Sequence, residues 1–136
     1  MDPWSICVPG VPSMVPVVRL FTRAYLAGHP LAADAALITS QYMANAIRHT
    51  VAGDVAAISV TVVTAGDRVR IEVTRAAPVM RTPQPSIGLP SPASESSTED
   101  GHGRGLVIVD AIAHRWGHRG TAGRDTAWAE LRHVLA

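Results

Sequence analysis

The order of apolar and polar positions changes period several times along this 136-residue chain, and each change marks an element. Residues 1–12 are apolar and proline-rich, compatible with one short strand, Ser5 to Val8, ended by Pro9-Gly10. From Ser13 to Ala27, Val17, Leu20, Phe21 and Ala24 recur at three- and four-residue spacing, which predicts a helix. Gly28-His29-Pro30 stops it, with glycine just past the end and proline beyond. A second helix is predicted from Ala32 to His49.

The period then falls to two. Over residues 55–64, Ile58, Val60 and Val62 take one face while Ser59 and Thr61 take the other. Ala65-Gly66-Asp67 makes a turn, and the return segment sets Val69, Ile71 and Val73 inward against Arg68, Arg70, Glu72 and Thr74 outward. That is a hairpin with one buried and one wet face. Five prolines between Ala76 and Asp100 interrupt any regular element, which predicts a flexible, lid-like loop at about 76–100. Helical periodicity returns at Gly105 and runs to about His114. Two strands follow, Arg115 to Arg119 and Arg124 to His133, joined across Gly120 to Gly123. Alternation along them is expected to set Trp116 and Trp128 against the helices. The order β-α-α-β-β-loop-α-β-β predicts a single α+β domain over residues 1–136. Its architecture is a two-layer α/β sandwich, a mostly antiparallel sheet covered on one face by helices.

Composition narrows the picture in three ways. Aromatics are 4% of the chain against 47% apolar residues, so the core must be built from small aliphatic side chains. A formal charge of +1 gives no reason to expect nucleic acid or a membrane as partner. The one cysteine, Cys7, has no internal disulfide partner, and no apolar stretch approaches the roughly 20 residues of a membrane span. With no basic segment and apolar run at the N-terminus, no signal peptide is expected, and a cytoplasmic protein is.

Three segments carry candidate chemistry. Gly101-His102-Gly103-Arg104-Gly105-Leu106 is predicted to leave the long loop and open a helix. Glycines allow close backbone approach, a helix N-terminus offers unpaired N–H groups, and Arg104 could bond the same anion, so the segment suits phosphate. On the second helix, Gln41, Asn45, Arg48 and His49 share one side. Asparagine is a mediocre mid-helix residue, and an amide oxygen directed at a metal ion is one reason to place it there. The third is the strand end Val73-Thr74-Arg75, with a later strand carrying Thr126 after the Gly123 turn. His114 and His118 lie four apart without a nearby thiolate or paired carboxylate, so no metal site is expected there. Trp4, near the terminus, is a candidate for a partner or dimer contact.

In order and spacing these segments resemble the nucleotide-site boxes of the GHKL (Bergerat-fold) superfamily, and more closely its anti-sigma-factor serine kinases. There a helix reads Ser-Glu-Leu-x-x-Asn-Ala-x-x-His, a strand ends Val-Thr-Asp, and Gly-x-Gly-Arg-Gly-Leu and Gly-x-x-Thr-x-Trp-Ala-Glu-Leu follow. This chain has Ser40-Gln41-Tyr42-Met43-Ala44-Asn45-Ala46-Ile47-Arg48-His49, Val73-Thr74-Arg75, Gly103-Arg104-Gly105-Leu106 and Gly123 to Leu131. The resemblance covers about residues 5–133. It implies ATP with Mg²⁺ held by Asn45, phosphates held by the Gly101, Gly103, Gly105 segment, and Thr126 supporting the base site. It also implies a sigma factor or an anti-sigma-factor antagonist as protein partner, and a homodimer.

Two positions depart from the family. The general-base glutamate is Gln41, and the aspartate that accepts from the adenine amine is Arg75. A neutral amide takes no proton at working pH, and general-base catalysis contributes about 10²–10⁴ in rate. Guanidinium has donors only, so it faces the amine as donor to donor. Three readings stay open: a regulator that binds protein partners with weakened or lost ATP binding and phosphotransfer, an active serine/threonine kinase, and a sensor of a guanine nucleotide.

Overall fold

In the computed structural model the description covers residues 3–48, 56–76, 101–121 and 123–134, with the backbone alone for 101–105 and 121. Five strands and three helices follow in the order β1 (Trp4–Pro9), α1 (Met14–Tyr25), α2 (Ala32–Arg48), β2 (Ala57–Ala65), β3 (Arg68–Ala76), α3 (Gly101–Ile112), β4 (Arg115–Thr121) and β5 (Arg124–Arg132). The strands form one antiparallel sheet in the order β1-β2-β3-β5-β4. This is the predicted α+β sandwich. The loop expected at 76–100 lies, beyond Ala76, outside the described residues, as does His49.

Register decides which side chains meet the helices. Across the sheet, Val62, Ile71 and Ala129 stand opposite one another, and so do Val60, Val73 and Ala127. All six are buried, and they pack with Val18, Ile38, Tyr42, Met43 and Val109 of the three helices. At about 25 cal/mol per Å² of apolar surface removed from water, this aliphatic layer supplies most of the drive to fold. The alternate residues, Thr61, Arg70, Glu72, Thr74 and Glu130 among them, turn to the other face.

One expectation fails here. Trp116 packs on the core side and its indole N–H donates to Asp110 Oδ1 of α3 at 2.8 Å. Trp128 does not join it. Ala129, opposite Ile71, is the residue that faces the helices, so its neighbour Trp128 must face away. There its ring lies beneath Arg70, whose guanidinium carbon is 4.7 Å from the ring centroid. The strands pair 116 with 129 and 117 with 128, so the two tryptophans fall on opposite faces.

Trp4 is half-buried and stacks on Tyr25 at 5.7 Å between centroids. Beside it Phe21 and Leu20 of α1 are exposed. No helix among the described residues is long and apolar enough to cross a membrane.

Candidate functional site

Chain direction brings the candidate segments to one end of the helix-covered face. His29, just before α2, bonds the carbonyl of Gly66 in the β2–β3 turn at 3.1 Å, so α2 starts at that end of the sheet. Its C-terminal turns, with Asn45 and Arg48, therefore point to the opposite end. There β3 finishes at Ala76 and β5 starts at Arg124, as register partners. At the turn end, the N–H of His114 donates to the carbonyl of Glu130, and α3 has finished there. The first residues of α3 consequently lie at the far end too. Helix α2, the start of α3 and the Arg75–Asp125 rung of the sheet converge.

The glycine segment differs from expectation in one respect. Helix α3 begins at Gly101 rather than at Gly105, so Gly101, His102, Gly103, Arg104 and Gly105 form its opening turns and not the loop before it. Glycine accepts helical backbone angles, and the apolar run from Leu106 onward extends the helix backwards over it. The unpaired N–H groups and positive dipole of the helix N-terminus thus sit at Gly101 and the residues after it. Leu106 is half-buried against the core.

On α2, Gln41 and Asn45 are half-buried and Arg48 is exposed. Asn45 Oδ1 is buried and has no hydrogen-bond partner among the described residues. A buried acceptor left unpaired costs about 1–3 kcal/mol, which makes it a place to look for a missing partner. Thr64 Oγ1 is also unpartnered, but it stands at the turn end, away from the other candidates. An amide oxygen without a donor suits a hard cation such as Mg²⁺, which takes oxygen ligands. Asn45 thus fits as one oxygen ligand of such an ion, the rest of whose shell would come from phosphate and water.

Next to it, Tyr42 fixes the helix to the sheet. Its hydroxyl donates to the carbonyl of Trp128 at 2.8 Å, and burial pushes its phenol well above the ordinary range. The Tyr42 ring stands edge-on to His118, 6.1 Å between centroids, and Trp116 also meets that imidazole edge-on, at 6.2 Å. Enclosure by this packing lowers the proton affinity of His118, and the carboxylate of Asp125 partly opposes it.

The strand-end pair is the main departure from what the sequence suggests. Arg75 is not a lone cation: its Nη2 donates to Asp125 Oδ2 at 2.5 Å, directly across the β3–β5 ladder. Both belong to the helix-covered side, since Val73 and Ala127, two residues along each strand, are buried there. Thr126 is consequently on the other face, where its hydroxyl pairs with that of Thr74 at 2.9 Å. It is buried but not brought together with Asn45 and Arg75. A one-residue step along a strand reverses the face, so the β5 residue that shares the helix-covered side with Arg75 is Asp125 and not Thr126.

Asp125, His118 and Tyr42 were not marked by motif. Asp125 was within reach of sequence reasoning, because the strand alternation that sets Ala127 and Ala129 inward sets residue 125 inward as well. What was missing was the register that makes it the partner of Arg75.

Residues 32–132 match the family model of the histidine kinase-, DNA gyrase B-, and HSP90-like ATPases. The match takes in Gln41, Asn45, Arg75, the glycine segment and Asp125, and begins at α2. Comparison with curated proteins gives no match.

Proposed function

The chain belongs to the family of histidine kinase-, DNA gyrase B- and HSP90-like ATPases, and on that premise we propose that it is a nucleotide-binding regulator of the anti-sigma-factor kinase-like kind, acting by capture of a protein partner with phosphotransfer impaired. The observation that carries the nucleotide half is the buried, unpartnered Oδ1 of Asn45 at the end where α2, α3 and the strand ends converge. Asn45 would hold Mg²⁺, and the opening N–H groups of α3 would receive phosphate oxygens. Bound Mg²⁺ supplies charge neutralisation on the phosphates.

Impairment follows from Gln41. At the position of a general base it can orient a hydroxyl by hydrogen bonding but cannot remove its proton, which forfeits about 10²–10⁴ in rate. Binding and release of a partner survive that loss, and turnover does not. A sigma factor or an antagonist of an anti-sigma factor is the partner the resemblance favours. An active kinase would need another base, and no carboxylate stands one helical turn from Asn45 on α2. A guanine nucleotide is the reading a lone Arg75 would favour; its pairing with Asp125 sets an acceptor beside that donor, an arrangement adenine can meet as well.

Titration calorimetry with ATP, with and without Mg²⁺, tests the nucleotide half. Mg²⁺-dependent binding that Asn45→Ala weakens at least about tenfold is expected, from loss of a charged contact. No heat from ATP in either condition overturns it. Gln41→Glu should raise ATP turnover toward the lost factor of about 10²–10⁴. Purification of the chain with its native partners would identify the protein it captures.

A further inference from the structure

Arg75 and Asp125 form an unusual rung for this position. The strand-end residue at the base site would be expected to accept a hydrogen bond, and Arg75 can only donate. Yet a carboxylate is present, displaced sideways by one strand. It faces the helix-covered side at the convergence of α2, α3 and the strand ends, with its residue partner Arg75 largely enclosed at 20% exposure and its own side chain 59% exposed. Its Oδ2 is engaged by the Arg75 Nη2, which leaves Oδ1 with lone pairs of its own. The opposing β4 residue is Gly120, and a Cβ built there would come within 3.1 Å of Asp125 Oδ1. Glycine thus leaves room for that oxygen.

We propose that Asp125 is the base-reading acceptor of this chain, supplied from β5 in place of the usual β3 residue, and that Arg75 positions it while offering an adjacent donor. A carboxylate beside a guanidinium complements a purine edge that sets an N–H donor beside an acceptor. Adenine does so with its amine and the neighbouring ring nitrogen, and adenine is the base assigned because the chain belongs to a family of ATPases. Guanine can present O6 beside N1–H, and it is the competitor the test separates. Its N7/O6 edge, with two acceptors, would meet the carboxylate unfavourably. This inference rests on the nucleotide-binding reading above and adds to it the residue that reads the base.

The test compares three ligands, ATP, GTP and the triphosphate of unsubstituted purine riboside, which lacks the amine. Each is titrated calorimetrically into the full chain and into Asp125→Ala, Asp125→Asn and Arg75→Ala. The unaltered chain is expected to prefer ATP to the deamino analogue by about tenfold to a hundredfold, the value of one charge-assisted hydrogen bond. Asp125→Ala should erase that preference while the analogue binds as before, and Asp125→Asn should keep part of it. Arg75→Ala should lower the preference for the amine without erasing it, because the carboxylate remains but is no longer held in place. If ATP binds the unaltered chain and Asp125→Ala keeps the full preference, the base-reading role is overturned and nucleotide binding stands. Tighter GTP than ATP binding overturns the choice of adenine. If none of the three ligands binds the unaltered chain, the nucleotide reading fails and takes this one with it. Thermal melting of each variant separates loss of a contact from loss of the fold.

Discussion

Arginine–carboxylate pairs occur on both faces of the sheet, and they are built differently. On the open face Arg70 reaches Glu130 Oε2 at 2.6 Å and Glu72 Oε2 at 3.0 Å, and lies over Trp128. Arg115 takes the other oxygen of Glu130 at 2.6 Å, and Arg119 the other oxygen of Glu72 at 3.3 Å. Every carboxylate oxygen is used, and the network runs across β3, β5 and β4. Gly117 sits under Trp128 so closely that a Cβ would lie 3.0 Å from the ring. On the helix-covered side, Arg75 and Asp125 make one contact at the sheet's end and leave acceptor capacity spare. A saturated network fixes strands in register; a half-used pair keeps acceptor capacity free.

The sharpest way to break this comparison is to change neighbours on β3 that face opposite ways. Ile71→Ala, on the covered face, should cost about 2–5 kcal/mol through lost burial and a cavity. Arg70→Ala should cost about 1 kcal/mol, since partly exposed ion pairs are worth little and the ring contact adds a modest amount. Chemical denaturation measures both, and equal losses would show that the open face bears as much of the fold as the core.

Tyr42→Phe should come next, at about 1 kcal/mol, because it removes one largely buried hydrogen bond to the Trp128 carbonyl and keeps the ring. Thermal melting reads it. A loss near zero would mean that packing alone seats α2 on β5.

Glu130→Gln probes the saturated network by pH. Hydrogen bonds from Arg115, with a further one from Arg70, hold the Glu130 carboxyl below its ordinary range. A group depressed in the folded state stabilises above its unfolded value and loses that contribution as pH falls through the folded one. The unaltered chain should therefore exceed Glu130→Gln in stability at pH 7, by up to about 1 kcal/mol. The gap should close as the pH falls below about 4. A gap that persists unchanged at acid pH would mean that the carboxylate charge is not what the network uses.

The smallest effect is expected at the other pair. Arg75→Ala should change stability by no more than about 0.5 kcal/mol, because Asp125 is mostly hydrated without it. A larger loss in the same denaturation experiment would make this pair a strut of the fold like those on the open face.

Much of the fold was legible because its periods are unambiguous. Ile58, Val60 and Val62 against Val69, Ile71 and Val73 specify a hairpin and its buried face together, and Gly66 at φ 62° is the turn between them. The helices were placed to within a few residues at their ends, except that α3 takes in the glycine segment. Glycine carries no signal that separates a loop from a helix start, and the apolar residues that drive α3 lie beyond it. That Gln41 and Asn45 share one side of α2 was legible because four-residue spacing on a helix is itself a geometric statement.

The sequence by itself determined the elements, the apolar layer, the buried face of the hairpin and the segments that carry candidate chemistry, since all of these depend on spacing along one chain. Only the tertiary structure decided which residues face each other. Pairing β3 with β5 in one register sets Arg75 against Asp125 and Thr74 against Thr126, and a shift of a single residue would exchange the faces. That register is fixed by burial of Ile71 and Ala129 beneath the helices, at long range in the chain. It turns an apparently misplaced arginine into half of a donor–acceptor pair.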